Sequence, residues 1–254
     1  MLTEYIVDTA EMPWKQGETE GITFSSQVLL DGVDGGPEAV RFRFDPCPSV
    51  YAHMHLVSQF QFLLGGTMDL PRESMKLRPI AVHYTDHNKV YGPFSVGGEH
   101  DVLVLHPRQG GLVSMKDKTV RKKINLIGRE ISGMDKDAEW LPIPGHEGCR
   151  CKFLISGGPE VILFELAPDV TLPLAAPCFG RYEVVLDGSV TLGERSLRGL
   201  AVRYVQGDEP AVPFSSSSEG ATVAVLAFDE DAMSGGLAND ELSISAAQQM
   251  ARTI

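Results

Sequence analysis

The chain has 254 residues, 43% of them hydrophobic and 22% charged, the make-up of a globular protein with room for one large domain or two ordinary ones. Its 34 acidic against 22 basic side chains leave a net charge of −12, which repels phosphate backbones and argues against a nucleic-acid partner. No apolar run approaches the roughly 20 residues that span a bilayer, so no membrane segment is expected, and the acids Glu4 and Asp8 interrupt the opening segment where a secretory leader would be apolar.

From the N-terminus the pattern is strand after strand. Residues 40–44 (Val-Arg-Phe-Arg-Phe) alternate apolar and polar, as a half-buried strand does. Residues 60–64 form a more continuous apolar run, and the Gly65-Gly66 pair behind it reads as a hairpin turn. Further strands are expected over 101–105 and 160–166. Another covers 181–186, closed by Asp187-Gly188, a favoured hairpin dipeptide, and the last covers 220–228. Helix is scarce: only residues from about Asp240 to Met250 lack breakers, with Asn239 or Asp240 as a cap. The basic cluster Lys116, Lys118, Arg121, Lys122 and Lys123 reads as a solvated linker. Four cysteines without a leader are expected to be free thiols in a reducing compartment, the cytoplasm by default.

The chain also repeats itself. Ala81-Val82-His83-Tyr84 recurs as Ala201-Val202-Arg203-Tyr204, and Pro93-Phe94-Ser95 recurs at the same offset as Pro213-Phe214-Ser215. A slightly longer offset matches Leu64 with Leu186 and Gly66 with Gly188. Two similar all-β modules follow, each of roughly 100 residues and able to bury its own core. The expected division is a first barrel over 1–114, a polar linker over 115–139, a second barrel over 140–231 and a tail over 232–254. Many short strands at regular spacing suit a sandwich or barrel.

The two copies differ where chemistry is concentrated. His53, His55, Gln59 and His87 fall on Ala175, Pro177, Arg181 and Gly207. Alternation along a strand points His53 and His55 the same way, about 6.6 Å apart along the backbone, a gap two imidazoles can close around one ion. Neutral imidazole ligates iron, zinc, copper and nickel. Gln61 shares the parity of Gln59 and is expected to line the same pocket. His83, matched by Arg203, reads as a rim residue; Tyr84, matched by Tyr204, reads as packing. His100 and His106 lie near strand ends and read as ordinary residues, and His146 with Cys149 and Cys151 lacks the fourth partner a zinc site needs.

These residues resemble the cupins. His53-x-His55-x3-Gln59-x6-Gly66 is similar to the first cupin signature, with Gln59 in place of its carboxylate and Cys47 in place of its opening glycine. His87 takes the position of the single histidine in the second signature, whose Gly, Pro, Gly and Asn are here Lys76, Val82, Tyr84 and Tyr91. The resemblance implies a bicupin: two tandem jelly-roll barrels, the second without metal ligands. It implies a divalent transition metal on His53, His55, His87 and Gln59, iron first among Fe, Mn, Ni, Co and Zn. With a neutral amide for a carboxylate, such an ion keeps its full +2 charge and is the stronger Lewis acid. The expected function is an Fe(II)-type dioxygenase acting on a small organic anion, with Gln59 and Tyr91 in catalytic roles and a homodimer as the assembly. The competing expectations are a metal or small-molecule sensor without catalysis, and a metal-free isomerase working by acid–base chemistry.

Overall fold

A computed structural model describes residues 5–19, 21–115, 127–209 and 212–234. In chain order the strands are β1 (Tyr5–Asp8), β2 (Lys15–Thr19), β3 (Ile22–Asp31), β4 (Glu38–Phe44), β5 (Cys47–Val50), β6 (His53–His55), β7 (Gln59–Leu70), β8 (Met75–Leu77), β9 (Ala81–Thr85), β10 (Phe94–His106), β11 (Leu112–Ser114) and β12 (Glu130–Met134). The second half adds β13 (Leu141–Pro142), β14 (Arg150–Ile155), β15 (Glu160–Leu166), β16 (Thr171–Leu172), β17 (Arg181–Leu192), β18 (Arg195–Arg198), β19 (Ala201–Val205) and β20 (Phe214–Ala227), then the short helix α1 (Glu230–Ser234). The helix expected from about Asp240 lies outside the described residues, as does the basic cluster of the linker.

The chain divides into two compact units, one of residues 13–134 and 231–254, the other of residues 1–12 and 135–230. Their sheets have the same strand order. The N-terminal unit runs β12-β9-β7-β10-β4-β3-β2, and the C-terminal unit runs β1-β19-β17-β20-β15-β14-β13. The edges explain why the boundaries differ from those expected. β12 pairs antiparallel with β9, Glu130 opposite Thr85 and Met134 opposite Ala81, so the end of the linker belongs to the N-terminal unit. β1 pairs in the same way with β19, Tyr5 opposite Tyr204, so the first residues belong to the C-terminal unit. Each sheet thus takes as its edge the strand that precedes the other unit in sequence.

Two expected hairpins are bulges inside long strands. β7 continues through Gly65-Gly66 and β17 through Asp187-Gly188, and in both the register against the central neighbour shifts there. Gly66 and Gly188 have φ of +71° and +70°, which side-chain-bearing residues rarely adopt. The glycines bend the strands rather than reverse them, and one strand can then wrap a barrel.

Each unit has its own core. Leu63, Met68, Leu70, Leu77, Tyr91, Phe94 and Val102 pack in the first. Phe164, Leu166, Val185, Val190, Leu197, Phe214 and Val223 pack in the second. A buried ion cluster accompanies the second core: Glu183 lies 2.7 Å from Arg181 and 3.0 Å from Arg203. In the N-terminal unit the equivalent positions hold Gln59, Gln61 and His83.

Candidate active site in the N-terminal barrel

β6 carries His53 and His55 on one face and Met54 on the other. Met54 packs with Leu56 and Val113, and this apolar anchor turns both imidazoles inward. Beside them Gln59 and Gln61 project from β7, whose neighbour β9 places His83 opposite Gln61 and Thr85 opposite Gln59. Tyr91 enters just before β10 and is bridged to His53 through both backbone amides, at 3.2 and 3.1 Å. His106 ends β10; the register that sets Phe60 opposite Leu105 carries it to Gln59.

Hydrogen bonds fix the ring orientations. His53 Nδ1 donates to the Tyr51 carbonyl at 2.8 Å, which leaves Nε2 as an acceptor for the Tyr91 hydroxyl at 2.7 Å. The Tyr91 oxygen in turn accepts from Gln59 Nε2 at 2.9 Å and Gln61 Nε2 at 2.7 Å. His106 Nδ1 faces the Glu38 carboxylate at 2.7 Å, and Glu38 also accepts from the Gly110 amide at 2.9 Å. His106 Nε2 then stands 3.4 Å from Gln59 Oε1. The amide protons of Gln59 go to Thr85 and Tyr91, so its Oε1 is the acceptor in that contact.

Burial sets the protonation states. His55 is held well below the ordinary histidine value, first by burial and then by the neighbouring His106 and His53. Burial pushes the Tyr91 hydroxyl well above its usual range against the opposing pull of the Gln59 and Gln61 amides, so it is a neutral phenol. His83 falls to about 4, by burial and then by His53. It is not a rim residue: only 1% exposed, it meets Ser132 of β12 at 2.9 Å, and its ring lies 5.5 Å from that of Tyr91.

His87 stands in other surroundings. The chain turns immediately after β9, and the His87 amide donates to Ser58 Oγ at 3.1 Å. Its charged surroundings are Asp86, Arg108, Asp231 and Arg129 rather than the paired histidines, and it is not among the residues lining the central cavity. His106 occupies the place expected of it, with its ring 5.2 Å from His55, while His53 and His55 stand 5.4 Å apart. Parity along β10 is the signal that would have found it. His100, Val102, Val104 and His106 all face the cavity, and the residue opposite Arg181 in the second unit is Ala227.

Among the described residues, no group of three or more His, Cys, Asp or Glu stands close enough to hold a metal ion. The three rings are neighbours, but His53 Nε2 is turned onto Tyr91. The donor chemistry nevertheless fits a divalent cation. The second nitrogen of His53 donates to a carbonyl and that of His106 faces a carboxylate, the outer contacts typical of metal-ligating imidazoles. Two ligands each about 2.1 Å from a shared ion at a tetrahedral angle stand about 3.4 Å apart, the separation of His106 Nε2 and Gln59 Oε1.

The cavity beside this cluster has a volume of about 350 Å³. Its walls are mainly apolar, with Val40, Phe42, Phe44, Val102 and Val104 prominent, and among the described residues no lysine or arginine lines it. An anion would find no counter-charge there apart from a bound metal.

No protein-family model and no curated protein sequence matches the chain. Solved structures do. A Nostoc punctiforme protein provisionally described as a dioxygenase aligns over 90% of this chain and 83% of its own, with a TM-score of 0.68 and 16% identity. An oxalate decarboxylase from Lactobacillus farciminis, solved as a formate complex, covers 90% and 87% with a TM-score of 0.61 and 9% identity. Bacterial pirin YhhW from Escherichia coli, solved with nickel(II), covers 89% and 100% with a TM-score of 0.56 and 8% identity. The fold is that of the bicupins. The histidine cluster belongs to the N-terminal barrel, and the C-terminal barrel carries its Arg181–Glu183–Arg203 cluster at the matching positions. No helix among the described residues is long and apolar enough to cross a membrane.

Proposed function

We propose that the N-terminal barrel is the active site of a metal-dependent, dioxygenase-type oxidoreductase whose substrate is a small, mainly apolar molecule bearing oxygen donors. His53, His55 and His106 would hold the metal, with Gln59 Oε1 beside His106. A bound divalent ion would supply Lewis acidity and a place for substrate oxygens, and iron is the first candidate. The observation that carries this reading is the convergence of the His53, His55 and His106 rings, 5.4 and 5.2 Å apart, with Gln59 Oε1 3.4 Å from His106 Nε2. The protein's own residues do the rest. Glu38 holds the His106 ring, the Tyr51 carbonyl holds that of His53, and the apolar walls exclude water. Tyr91 would turn its hydroxyl from His53 to a substrate oxygen as a neutral hydrogen-bond donor, while Gln59 and Gln61 steady its own oxygen.

A second reading rests on the 2.7 Å contact between Tyr91 and His53, a donor–acceptor pair that could shuttle protons without a metal, as an isomerase would. Elemental analysis of protein purified without chelator, with oxygen uptake measured on diketones and phenols after anaerobic loading, decides between them. About one equivalent of metal per chain that falls with His106→Gln but not with His87→Gln supports the metal enzyme. Protein that takes up no metal leaves the acid–base reading.

A further inference from the structure

β10 and β4 face the cavity together at four alternate rungs: His106 opposite Glu38, Val104 opposite Val40, Val102 opposite Phe42, and His100 opposite Phe44. Three two-residue steps separate the first rung from the last, about 20 Å at ~3.3 Å per residue. The cavity is therefore a slot, with the histidine cluster at one end, an apolar middle and a second histidine at the other end.

His100 does nothing in the reading above, yet it is built in. It is 3% exposed, its Nδ1 is committed to the Thr67 carbonyl at 3.1 Å, and its ring lies 5.7 Å from that of Phe44. With the ring proton on Nδ1, Nε2 is an acceptor, and it makes no hydrogen bond among the described residues. The backbone places it deliberately. His100 stands against Gly66, where even a methyl group would come within 2.6 Å of the His100 Cα, so the bulge of β7 and the ring of His100 are parts of one feature.

We propose that the slot binds an elongated, uncharged molecule whose far end carries a hydroxyl that donates a hydrogen bond to Nε2 of His100. This rests on the small-molecule reading of the cavity given above, but not on the metal. The chemistry argues for a donor and against a charge. Burial lowers His100 to about 4, so at neutral pH it offers a lone pair and no positive charge, and no lysine or arginine among the described residues supplies one. Between the ends, Val40, Phe42, Val102 and Val104 offer only apolar surface, which suits an aromatic ring or a short alkyl chain. A buried acceptor left without a partner disfavours the analogue that lacks the donor.

The test is calorimetric titration of chelator-treated protein with para-hydroxyphenyl alkyl ketones of increasing chain length, each paired with the same ketone lacking the hydroxyl. Wild type should bind the best hydroxylated ketone about tenfold more tightly than its partner. His100→Phe, which keeps the aromatic wall, should abolish that preference, and His100→Gln, which restores an acceptor, should recover part of it. His87→Gln, outside the cavity lining, should leave the preference intact. Equal binding of hydroxylated and deoxy ketones to wild type, no binding of either, or a preference that survives in a folded His100→Phe protein would overturn the proposal. Loss of metal and oxygen uptake with the preference retained would instead count against the metal enzyme alone.

Discussion

The Tyr91 hydroxyl lies 2.7 Å from Nε2 of His53, on the ring nitrogen a metal would need. The Tyr51 carbonyl fixes the opposite nitrogen as the donor, so the phenol and any metal compete for one lone pair. The phenol oxygen is held there by two amides as well, so Tyr91 sits in a cradle of three hydrogen bonds.

Tyr91→Phe should therefore have opposite effects on folding and on metal binding. Gln59 and Gln61 each lose the acceptor of one N–H, although Gln59 keeps Thr85, a loss of about 1–3 kcal/mol in stability. The phenol no longer competes for His53 Nε2, so affinity for Fe(II) or Co(II), measured by titration calorimetry, should rise severalfold. A fall in affinity would mean that the hydroxyl is itself a ligand.

The second unit shows what replaces such a cluster. Glu183 neutralises one of two arginines that are 6% and 3% exposed, and Arg181 also donates to the Ala175 carbonyl at 2.5 Å. Glu183→Gln removes the anion and leaves two cations buried side by side, a penalty of about 3–5 kcal/mol. Urea unfolding should show that loss, whereas metal per chain should not change. A parallel loss of metal would mean that the two units share one site.

Much of this was legible in the sequence, and the failures have physical causes. The duplication, most strands and the pairing of His53 with His55 follow from repeated motifs and two-residue alternation, because a strand's faces are fixed by its own residues. His87 failed because position along a turn is not set by alternation: once Asp86 is captured by Arg129, the following residue is carried away from the paired histidines. His106 was hidden because it meets Gln59 through strand pairing across a long stretch of chain. The exchange of β1 and β12 was invisible because either unit offers the same unpaired edge. Gly65-Gly66 and Asp187-Gly188 misled because a left-handed glycine serves a bulge as well as a hairpin.

That last distinction can be measured. At Gly66 an added methyl would stand 2.6 Å from both the Gly97 carbonyl oxygen and the His100 Cα, backbone atoms that cannot swing aside. Gly66→Ala should cost well over the roughly 1–2 kcal/mol of a left-handed alanine and loosen His100. Gly35, with φ of +78° and nothing within 4 Å of the added methyl, is the control. Gly35→Ala should lose only the conformational part. Thermal melting of the two variants compares them directly, and equal losses would mean that β7 turns rather than bulges.

The Asp86 carboxylate ties β12 to the N-terminal barrel and gives the fold an acid limit. It accepts from the Arg129 amide at 2.7 Å, from Nε at 3.0 Å and from the terminal nitrogen at 2.9 Å, and from the Tyr84 hydroxyl at 2.7 Å. Burial alone would raise its pKa, but these donors and the Arg129 charge outweigh burial and hold it below the ordinary carboxylate value. A carboxylate depressed in the folded state stabilises fully above its unfolded pKa of about 3.9, and that contribution disappears as pH falls through the folded value. Asp86→Asn should therefore cost about 2–3 kcal/mol at neutral pH, and the gap from wild type should narrow as pH falls below about 4. Asp101, held low in the same way by Arg41 and Arg43, keeps some acid sensitivity in the variant. Denaturant unfolding across that pH range checks the sign: a gap that widens on acidification would mean that Asp86 enters the fold protonated.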